Sequence, residues 1–386
     1  MKIHPFFNPK THMDSKLTKY EIMIQSQEEY YGLLYSISNT GFWYIDSLKY
    51  SDEDLEITGW AKAPFHEISN VTFFVNDTEF ENIQYPHIRN DVGKVFSFDP
   101  EASSCGFVCR TSLKSFENDA NDEIILKCVN KTTKKPFSDI SQKNFYFSRN
   151  QIFNNISIPD EQRRVRVHGS KNEFTFLFTG YQLFNNCKYA LKRIFNRDID
   201  SYKNILDWGC GSGRSSRFFN QLQHASFTGV DIDQDNINWC AKNLNFGHFL
   251  TIPPFPQTSL NSSEYDLIIG ISVFTHLDET TQFAWLKELK RIASDDAVLL
   301  MSVHGDTALC FSPPDIKNYN KLERNGFLDI GHDASLDKVI KLNNYYRGVY
   351  HKNFYIQEKW SEYFEIIEII PGYINNHQDL VVMRKK

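Results

Sequence analysis

NILDWGCGSGRSSRFF, residues 204–219, carries an apolar run into three alternating glycines and then into a segment of helical composition. Ile205 to Trp208 suit a buried strand, so Gly209, Gly211 and Gly213 fall in the loop after it. In a doubly wound sheet that loop lies beyond the C-terminal strand ends, where ligands bind at the switch in strand order. Glycine permits the tight turn and lets a ligand approach the backbone without meeting a Cβ. A helix opening near Arg214 would aim free N–H groups at the same spot. About 20 residues on, SFTGVDID puts Asp231 at the end of a second strand, a distance that suits a carboxylate accepting two vicinal hydroxyls.

Beyond this stretch the chain alternates. NILDW, SFTGV, HFLTI, YDLIIGI and AVLLMSV read as short apolar strands, most of them parted by helical stretches such as DQDNINWCAKNL and TTQFAWLKELKRI. EIIEII and DLVVM add two final strands, joined by a Pro-Gly loop. The pattern predicts an α/β fold: a Rossmann-like, doubly wound, seven-stranded sheet.

The front of the chain has another texture. FWYIDSLKY, LEITGWAK, VTFFVNDTEF, GFVCRTSL and EIILKCVN are separated by Asp, Asn, Gly, Pro and Ser clusters, the spacing of an all-β sandwich. Asn76-Asp77 suits a hairpin turn, because both residues tolerate positive φ. Residues 15–36 place Leu17, Tyr20, Met23, Ile24, Tyr31 and Leu34 at helical spacing. The expected organisation is a helical segment at 1–40, a β-sandwich at 41–148, a connector at 149–203 and the α/β unit at 204–386. Inside the connector, Tyr181 to Phe195 reads as an amphipathic helix. Its basic run RRVRVHG is either a solvated face or a lid that binds an acceptor through Arg164 and Arg166.

Composition narrows the classes. The 386 residues, 41% hydrophobic and 23% charged, allow two domains with real cores. A net charge of −6 argues against a dedicated nucleic-acid binder. The seven cysteines are scattered, which favours free thiols in a reducing cytoplasm over a disulfide framework or a zinc site. MKIHPFFNPKTHMDSK has no signal-peptide core, and no stretch approaches about 18 apolar residues, so no membrane span is expected.

The glycine stretch departs from the dinucleotide pattern G-x-G-x-x-G, since Arg214 holds its sixth position. Asp207 with Gly209, Gly211 and Gly213 instead resembles motif I of the class I S-adenosylmethionine-dependent methyltransferases. YDLIIGISVFTHL and the helix and strand after it extend the likeness, which is tightest from Asn204 to Gly305 and covers about 160–384. The resemblance implies S-adenosylmethionine as cofactor. It puts Asp207 and the loop Gly209, Cys210, Gly211 and Gly213 near the methionine end, with Cys210 a small filler rather than a nucleophile. Asp231 would take the ribose hydroxyls and Ile232 the adenine, while Ser272, Val273 and Phe274 would line the methyl-donor pocket. Relatives often carry a polar residue for the adenine amine where TIPPFPQTS stands, which leaves Thr251, Gln257 or backbone groups for that contact. IPPF mimics the Asp/Asn-Pro-Pro-Phe/Tyr motif of amino-group methyltransferases. It precedes the fourth strand, though, and opens on Ile252, which accepts no hydrogen bond, so it reads as a rigid loop. NAD binding and a ligand-free relative are the alternatives.

Methyl transfer needs an acceptor held in line, which can supply roughly 7–11 kcal/mol of the barrier. A hydroxyl acceptor gains a further ~10²–10⁴-fold from a general base. His276 after the fourth strand, His304 at the end of the fifth and His377 before the last are the candidates, each with ordinary packing as its competing role. NNYYRGVYHKNFY, from Asn343 to Tyr355, offers Tyr346 and Arg347 for acceptor binding, or is a plain helical insert. GFWYIDSL, GWA, IRNDV and the Gly106-Phe107 pair resemble a β-sandwich module appended to bacterial glycan-modifying enzymes. SVFTHL, SVHG, WSEYFEI and INNHQDLVV resemble methyltransferases of surface-polysaccharide and natural-product pathways. Together these imply O-methylation of a glycan or glycosylated small molecule. The rivals are methylation of another small molecule or a protein, and a non-catalytic cofactor-binding scaffold.

Overall fold

Alternating burial builds the front of the molecule. The computed structural model describes residues 19–51, 54–97, 99–112, 123–136, 144–153, 157–340, 342 and 344–386; residues 1–18, read for a leader and for the start of the first helix, and Asn343 lie outside them. Helix α1 (Lys19–Ser38) comes first. Strands β1 (Phe42–Tyr50), β2 (Asp54–Lys62), β3 (Val71–Val75), β4 (Thr78–Glu79), β5 (Asn82–Ile88), β6 (Ser104–Ser112), β7 (Glu123–Asn130) and β8 (Asn144–Ser148) follow, with the short helix α2 (Asn90–Val95) between β5 and β6. They form two four-stranded sheets, β1-β2-β6-β5 and β4-β3-β7-β8, antiparallel throughout. Along β2, Leu55, Ile57 and Ala61 are buried, the period of two that one covered face imposes. Rings from the two sheets meet: Phe73 lies 4.4 Å from Phe107 and Trp43 lies 4.7 Å from Phe145. Asn76 adopts φ 52° in the β3–β4 turn.

Helices α3 (Arg149–Phe153), α4 (Glu161–His168) and α5 (Glu173–Phe195) lead to the back half. Helix α5 begins at Glu173, capped by the Asn172 side chain, rather than near Tyr181. Phe176 through Cys187 are buried without interruption, so the first half of α5 shows no amphipathic stripe. It runs between the front strands and the back sheet.

The back half holds β9 (Asn204–Trp208), β10 (Ser226–Asp231), α6 (Gln234–Asn243), β11 (His248–Thr251), β12 (Tyr265–Gly270), α7 (Glu279–Ile292) and β13 (Ala293–Val303). After them come α8 (Asp306–Leu309), α9 (Ile316–Asn325), β14 (Phe327–His332), α10 (Asp337–Ile340), β15 (Arg347–His351), α11 (Asn353–Lys359), β16 (Phe364–Ile374) and β17 (Gln378–Lys385). Seven of these strands form one sheet, ordered β11-β10-β9-β12-β13-β17-β16, in which β17 alone runs antiparallel to its neighbours. The chain starts at β9, steps outward to β11 and then crosses to β12, so the switch in order lies between β9 and β12.

Three local expectations need correction. The glycine loop leads into a six-residue 3₁₀ helix, Ser216–Gln221, with no α-helix there. Pro371 and Gly372 lie inside β16, and the turn is Asn375-Asn376, whose φ of 54° and 57° these residues tolerate. The aromatic stretch from Asn344 is no helical insert, because its middle forms β15, paired antiparallel with β14.

One contiguous apolar cluster takes in the front sheets, α5 and one face of the back sheet, from Trp43 and Phe145 through Phe178 and Phe184 to Ile205 and Leu300. The other face of that sheet packs Leu206, Trp208, Ile268 and Met301 against Trp285 and Trp360. A third cluster ties α1 to the back half through Tyr30, Leu34, Phe42 and Phe96 with Leu309 and Tyr319. All seven cysteines are free and buried. Among the described residues no helix is long and apolar enough to cross a membrane.

Candidate active site

A cavity opens where the strand order switches. It encloses about 880 Å³, its open mouth included, within the ~300–1,000 Å³ usual for ligand sites. Its wall draws on the β9 loop (Trp208, Gly209, Gly211, Arg214), the end of β10 (Asp231, Ile232), the β12 loop (Ser272, Val273, His276) and Arg166 and Val167 of α4.

The glycine loop serves mainly as a close-packed floor. Gly209 has φ 82°, and a Cβ there would collide with Val273. Gly211 lies under Val167 of α4. Four of the loop amides are spent internally: Gly209 and Cys210 donate to the Val230 carbonyl, Gly213 to that of Cys210, and Gly211 to Asp231 Oδ2 at 2.7 Å. Three expected cofactor contacts therefore do not reach the cavity. Asp207 is buried behind the loop, accepting from Ser216 at 2.6 Å and Ser215 at 3.4 Å, and burial raises its pKa to about 6. Cys210 faces Gly229 and the Gly211 carbonyl, while Gly213 packs on Leu244 and Cys240.

Asp231 does face the cavity. Its oxygens accept from the Gly211 and Asp233 amides and retain capacity for more donors. Among the described residues no cation lies within ion-pair distance of it, and burial, opposed by those amides, raises its pKa to about 6. Asn236 adds a buried wall oxygen, Oδ1, with no hydrogen-bond partner. This end of the cavity thus presents acceptors in want of donors. Next to them Ile232, Ile252, Leu277 and Trp285 form an apolar slot. Neither Thr251 nor Gln257 lines the cavity; Ile252 does. The IPPF loop is pinned by two wall residues, with the Pro254 carbonyl accepting from Tyr345 Oη at 2.6 Å and Trp285 Nε1 at 3.2 Å.

The methyl-donor end expected from the sequence is only partly assembled. Ser272 (φ 60°) and Val273 line the cavity. Phe274 turns away into the core, 5.0 Å from Trp208 and 4.6 Å from Trp360. Ser272 is held from behind, its amide on Ser302 Oγ and its hydroxyl on Gln378.

The three candidate histidines come together, His304 lying 6.2 Å from His276 and 5.0 Å from His377 between ring centres. His276 forms part of the cavity wall and stacks at 3.8 Å on Tyr346, which also lines it; His304 and His377 stand behind. Strand β15 orients two of the rings. The Arg347 carbonyl sits 3.0 Å from His276 Nδ1 and the Val349 carbonyl 3.2 Å from His304 Nδ1. A carbonyl only accepts, so each Nδ1 carries the proton and each neutral ring leaves Nε2 as a free base. Burial lowers the pKa of His276 to about 4 and of His304 to about 3, and lowers that of His377 as well. All three are neutral at pH 7. Among the described residues there is no cluster of three or more metal-ligating side chains.

The expected acceptor residues are mostly committed elsewhere. Arg164 is buried, donating to the carbonyls of Pro159 and Lys171 and pairing with Glu173. Arg166 does line the cavity, but its Nη1 bonds Asp233 Oδ2 at 2.5 Å. Arg347 directs its charge to Asp329. Of this group only Tyr346 and Arg166 reach the cavity wall. Sequence reasoning missed Arg214, Asn236, Ile252, Trp285 and Tyr345 as wall residues. Arg214 had a signal, since it displaces the last glycine of the dinucleotide pattern.

Residues 180–365 match a family described as a methyltransferase domain. A curated Escherichia coli relative, the O-antigen chain terminator bifunctional methyltransferase/kinase WbdD, is 32% identical over 97 residues. That match spans 24% of this chain and only 13% of the relative. Similar solved structures include an S-adenosylmethionine-dependent methyltransferase from Methanosarcina mazei, with TM-score 0.38, 17% identity and coverage of 50% of this chain and 96% of that one. Another is the magnesium protoporphyrin IX methyltransferase of Synechocystis, with TM-score 0.38, 16% identity and coverage of 58% and 94%. The chain therefore carries, across residues 180–365, a methyltransferase domain.

Proposed function

We propose that the protein is a class I methyltransferase that uses S-adenosylmethionine to methylate a hydroxyl of a glycan or glycosylated small molecule. The observation that carries this reading is the β15 carbonyl pair, which leaves His276 and His304 with unprotonated Nε2 atoms at and just behind the cavity wall. A thiolate acceptor would have little use for such bases, whereas a hydroxyl would. The acceptor-rich end of the cavity fits the cofactor: Asp231 and Asn236 Oδ1 would take ribose hydroxyls, and Ile232, Ile252, Leu277 and Trp285 would enclose the base.

When bound, adenosylmethionine supplies an electrophilic methyl group. The protein's part is to align the acceptor oxygen and to take its proton on a histidine Nε2 as the O–CH₃ bond forms and the S–CH₃ bond breaks. Neutral histidines suit this, because a protonated ring could not accept. Within the proposal, His276 contacts the acceptor directly, while His304 and His377 take the proton onward or hold His276. The front strands, proposed as a sandwich domain over 41–148, would position the glycan. The partial likeness to an O-antigen methyltransferase/kinase supports a cell-surface acceptor.

The test is incubation with labelled adenosylmethionine and fractionated surface glycans, followed by identification of the methylated species. His276→Ala and His304→Ala are each expected to lower kcat, with the larger loss within the ~10²–10⁴-fold worth of a general base. Undiminished turnover in both variants would remove the histidine assignment, and label appearing only on amines or protein would remove the hydroxyl.

A further inference from the structure

A second cavity lies in the front strands and shares no wall residue with the first. It encloses about 660 Å³, its open mouth included, within the ~300–1,000 Å³ usual for ligand sites. The loop between β2 and β3 forms one side with Glu67 and Asn70. The end of β7 and the turn after it form the other, with Asn130, Thr133 and Lys135. These side chains are held before any ligand arrives. Glu67 Oε2 accepts from Asn70 Nδ2 at 2.7 Å and from Asn130 Nδ2 at 3.3 Å. Asn130 Oδ1 in turn accepts from the amides of Thr132 and Thr133, at 3.0 and 2.9 Å, and so fixes the turn. Groups already in place lose little freedom when they bind.

The bonding capacity left over has both signs. Among the described residues, Glu67 Oε1 has no hydrogen-bond partner and the Lys135 ammonium has no carboxylate within ion-pair distance. A carboxylate only accepts, an ammonium only donates, and the Thr133 hydroxyl does both. A cationic ligand would meet Lys135 and an anionic one Glu67. A neutral polyol suits the pair, because each of its hydroxyls can donate to one and accept from the other.

The β2–β3 loop also carries an aromatic face. Phe65 follows Pro64 of the cavity wall and meets Tyr35 of α1 edge-on, with ring centres 4.6 Å apart. The Phe65 amide bonds Asn39 Oδ1 at 2.8 Å, which holds the ring to the end of α1. Tyr35 is 52% exposed, and Tyr31, one turn before it on the same side of the helix, is 47% exposed. Exposed rings with a polar tip suit a partner that is apolar on one face and hydroxylated at its edge, as a pyranose is.

We propose that this cavity and the aromatic face beside it bind a neutral saccharide, apart from the methylation centre. Its use in the reaction rests on the glycan reading above: the site holds a stretch of the acceptor other than the hydroxyl that is methylated. Saccharide binding itself rests on the cavity alone.

Ligand-observed NMR on the intact chain tests it. The probes are neutral oligosaccharides of glucose, galactose, mannose and N-acetylglucosamine, with an oligosaccharide of galacturonic acid as the anionic probe. At least one neutral probe should bind. Glu67→Gln and Lys135→Ala should each weaken it by roughly tenfold or more, the worth of a hydrogen bond to a charged group, and Tyr35→Ala by several-fold. Lys135 is exposed, so Lys135→Ala leaves the fold intact whatever becomes of Glu67→Gln. S-adenosylhomocysteine affinity, read by calorimetry, should be the same in the wild type and all three variants. Unaltered affinity for the neutral probe in both Glu67→Gln and Lys135→Ala overturns the assignment. A wild-type protein that binds none of the panel, or only the galacturonic acid probe, overturns it too. Saccharide binding by a protein that does not bind S-adenosylhomocysteine would remove the cofactor reading and leave this site standing.

Discussion

A single carboxylate sets the protonation behaviour expected of the cavity. Asp231 must be ionised to accept two hydroxyls, and burial has raised its pKa to about 6. Above that pH it is an acceptor; below it one oxygen carries a proton and an acceptor is lost. Nucleoside affinity should therefore be level above pH 7 and decline as pH falls through about 6, by up to tenfold per unit for one proton. His276 and His304, at about 4 and about 3, titrate well below this window and add nothing to it. An acid limb near pH 6 in binding, read by calorimetry from pH 5 to 8, agrees with Asp231 as the ribose acceptor. Affinity constant down to pH 5 speaks against it. Asp231 was legible in the sequence because its distance from the glycines is a property of the βαβ unit. Asp207 turns behind the loop for a physical reason: Ser215 and Ser216 satisfy it from the loop itself, and no pattern of spacing reveals which way a buried carboxylate turns.

At the level of elements, the catalytic end depends on anchors far away in sequence. Gln282 of α7 donates to the carbonyls of Phe274 and Leu277, which bracket His276, at 2.9 and 3.0 Å. Both amide hydrogens are thus used, so its Oε1 accepts from His351 Nε2 at 2.9 Å. Gln282→Ala should cost about 2–4 kcal/mol by the loss of buried hydrogen bonds, seen as a lower denaturant midpoint, and should lower kcat more than it weakens nucleoside binding. A variant with an unchanged midpoint would show that the loop stands without this anchor. The strands of the parallel sheet were readable because each is a short apolar run between breakers. Strand β15 was not. Arg347–His351 mixes aromatic, basic and glycine residues, and what it does for the site is done by its backbone carbonyls, which leave no mark on the residue types. The first half of α5 was hidden for another reason, being buried on all sides, polar residues such as Gln182 included.

Across the whole molecule, the two expected units share a core. Phe145 stacks at 5.7 Å on Phe178 of α5, and Phe184 from the same helix meets Phe219 of the back half at 5.0 Å. A second junction joins Phe42 and Phe96 to Phe311, and Tyr30 Oη donates to the Pro314 carbonyl. A fragment beginning at residue 149 would expose the apolar flank of α5, so it should be insoluble or melt well below the full chain, by contrast with a detachable binding module. A soluble fragment with the melting temperature of the full chain would contradict a shared core. The start of the front strands near Gly41 was visible as a change of texture, but the continuity of the core from those strands into the back half was not, because partners such as Phe145 and Phe178 lie more than 30 residues apart in the chain. The central claim, that the switch-point cavity holds an adenosyl nucleoside on Asp231, is tested most directly by titrating S-adenosylhomocysteine into the intact protein and into Asp231→Asn at pH 7.5. One-site binding in the first, weakened roughly tenfold or more in the second, is the predicted result; no binding to the intact protein, or equal binding by both, would contradict it.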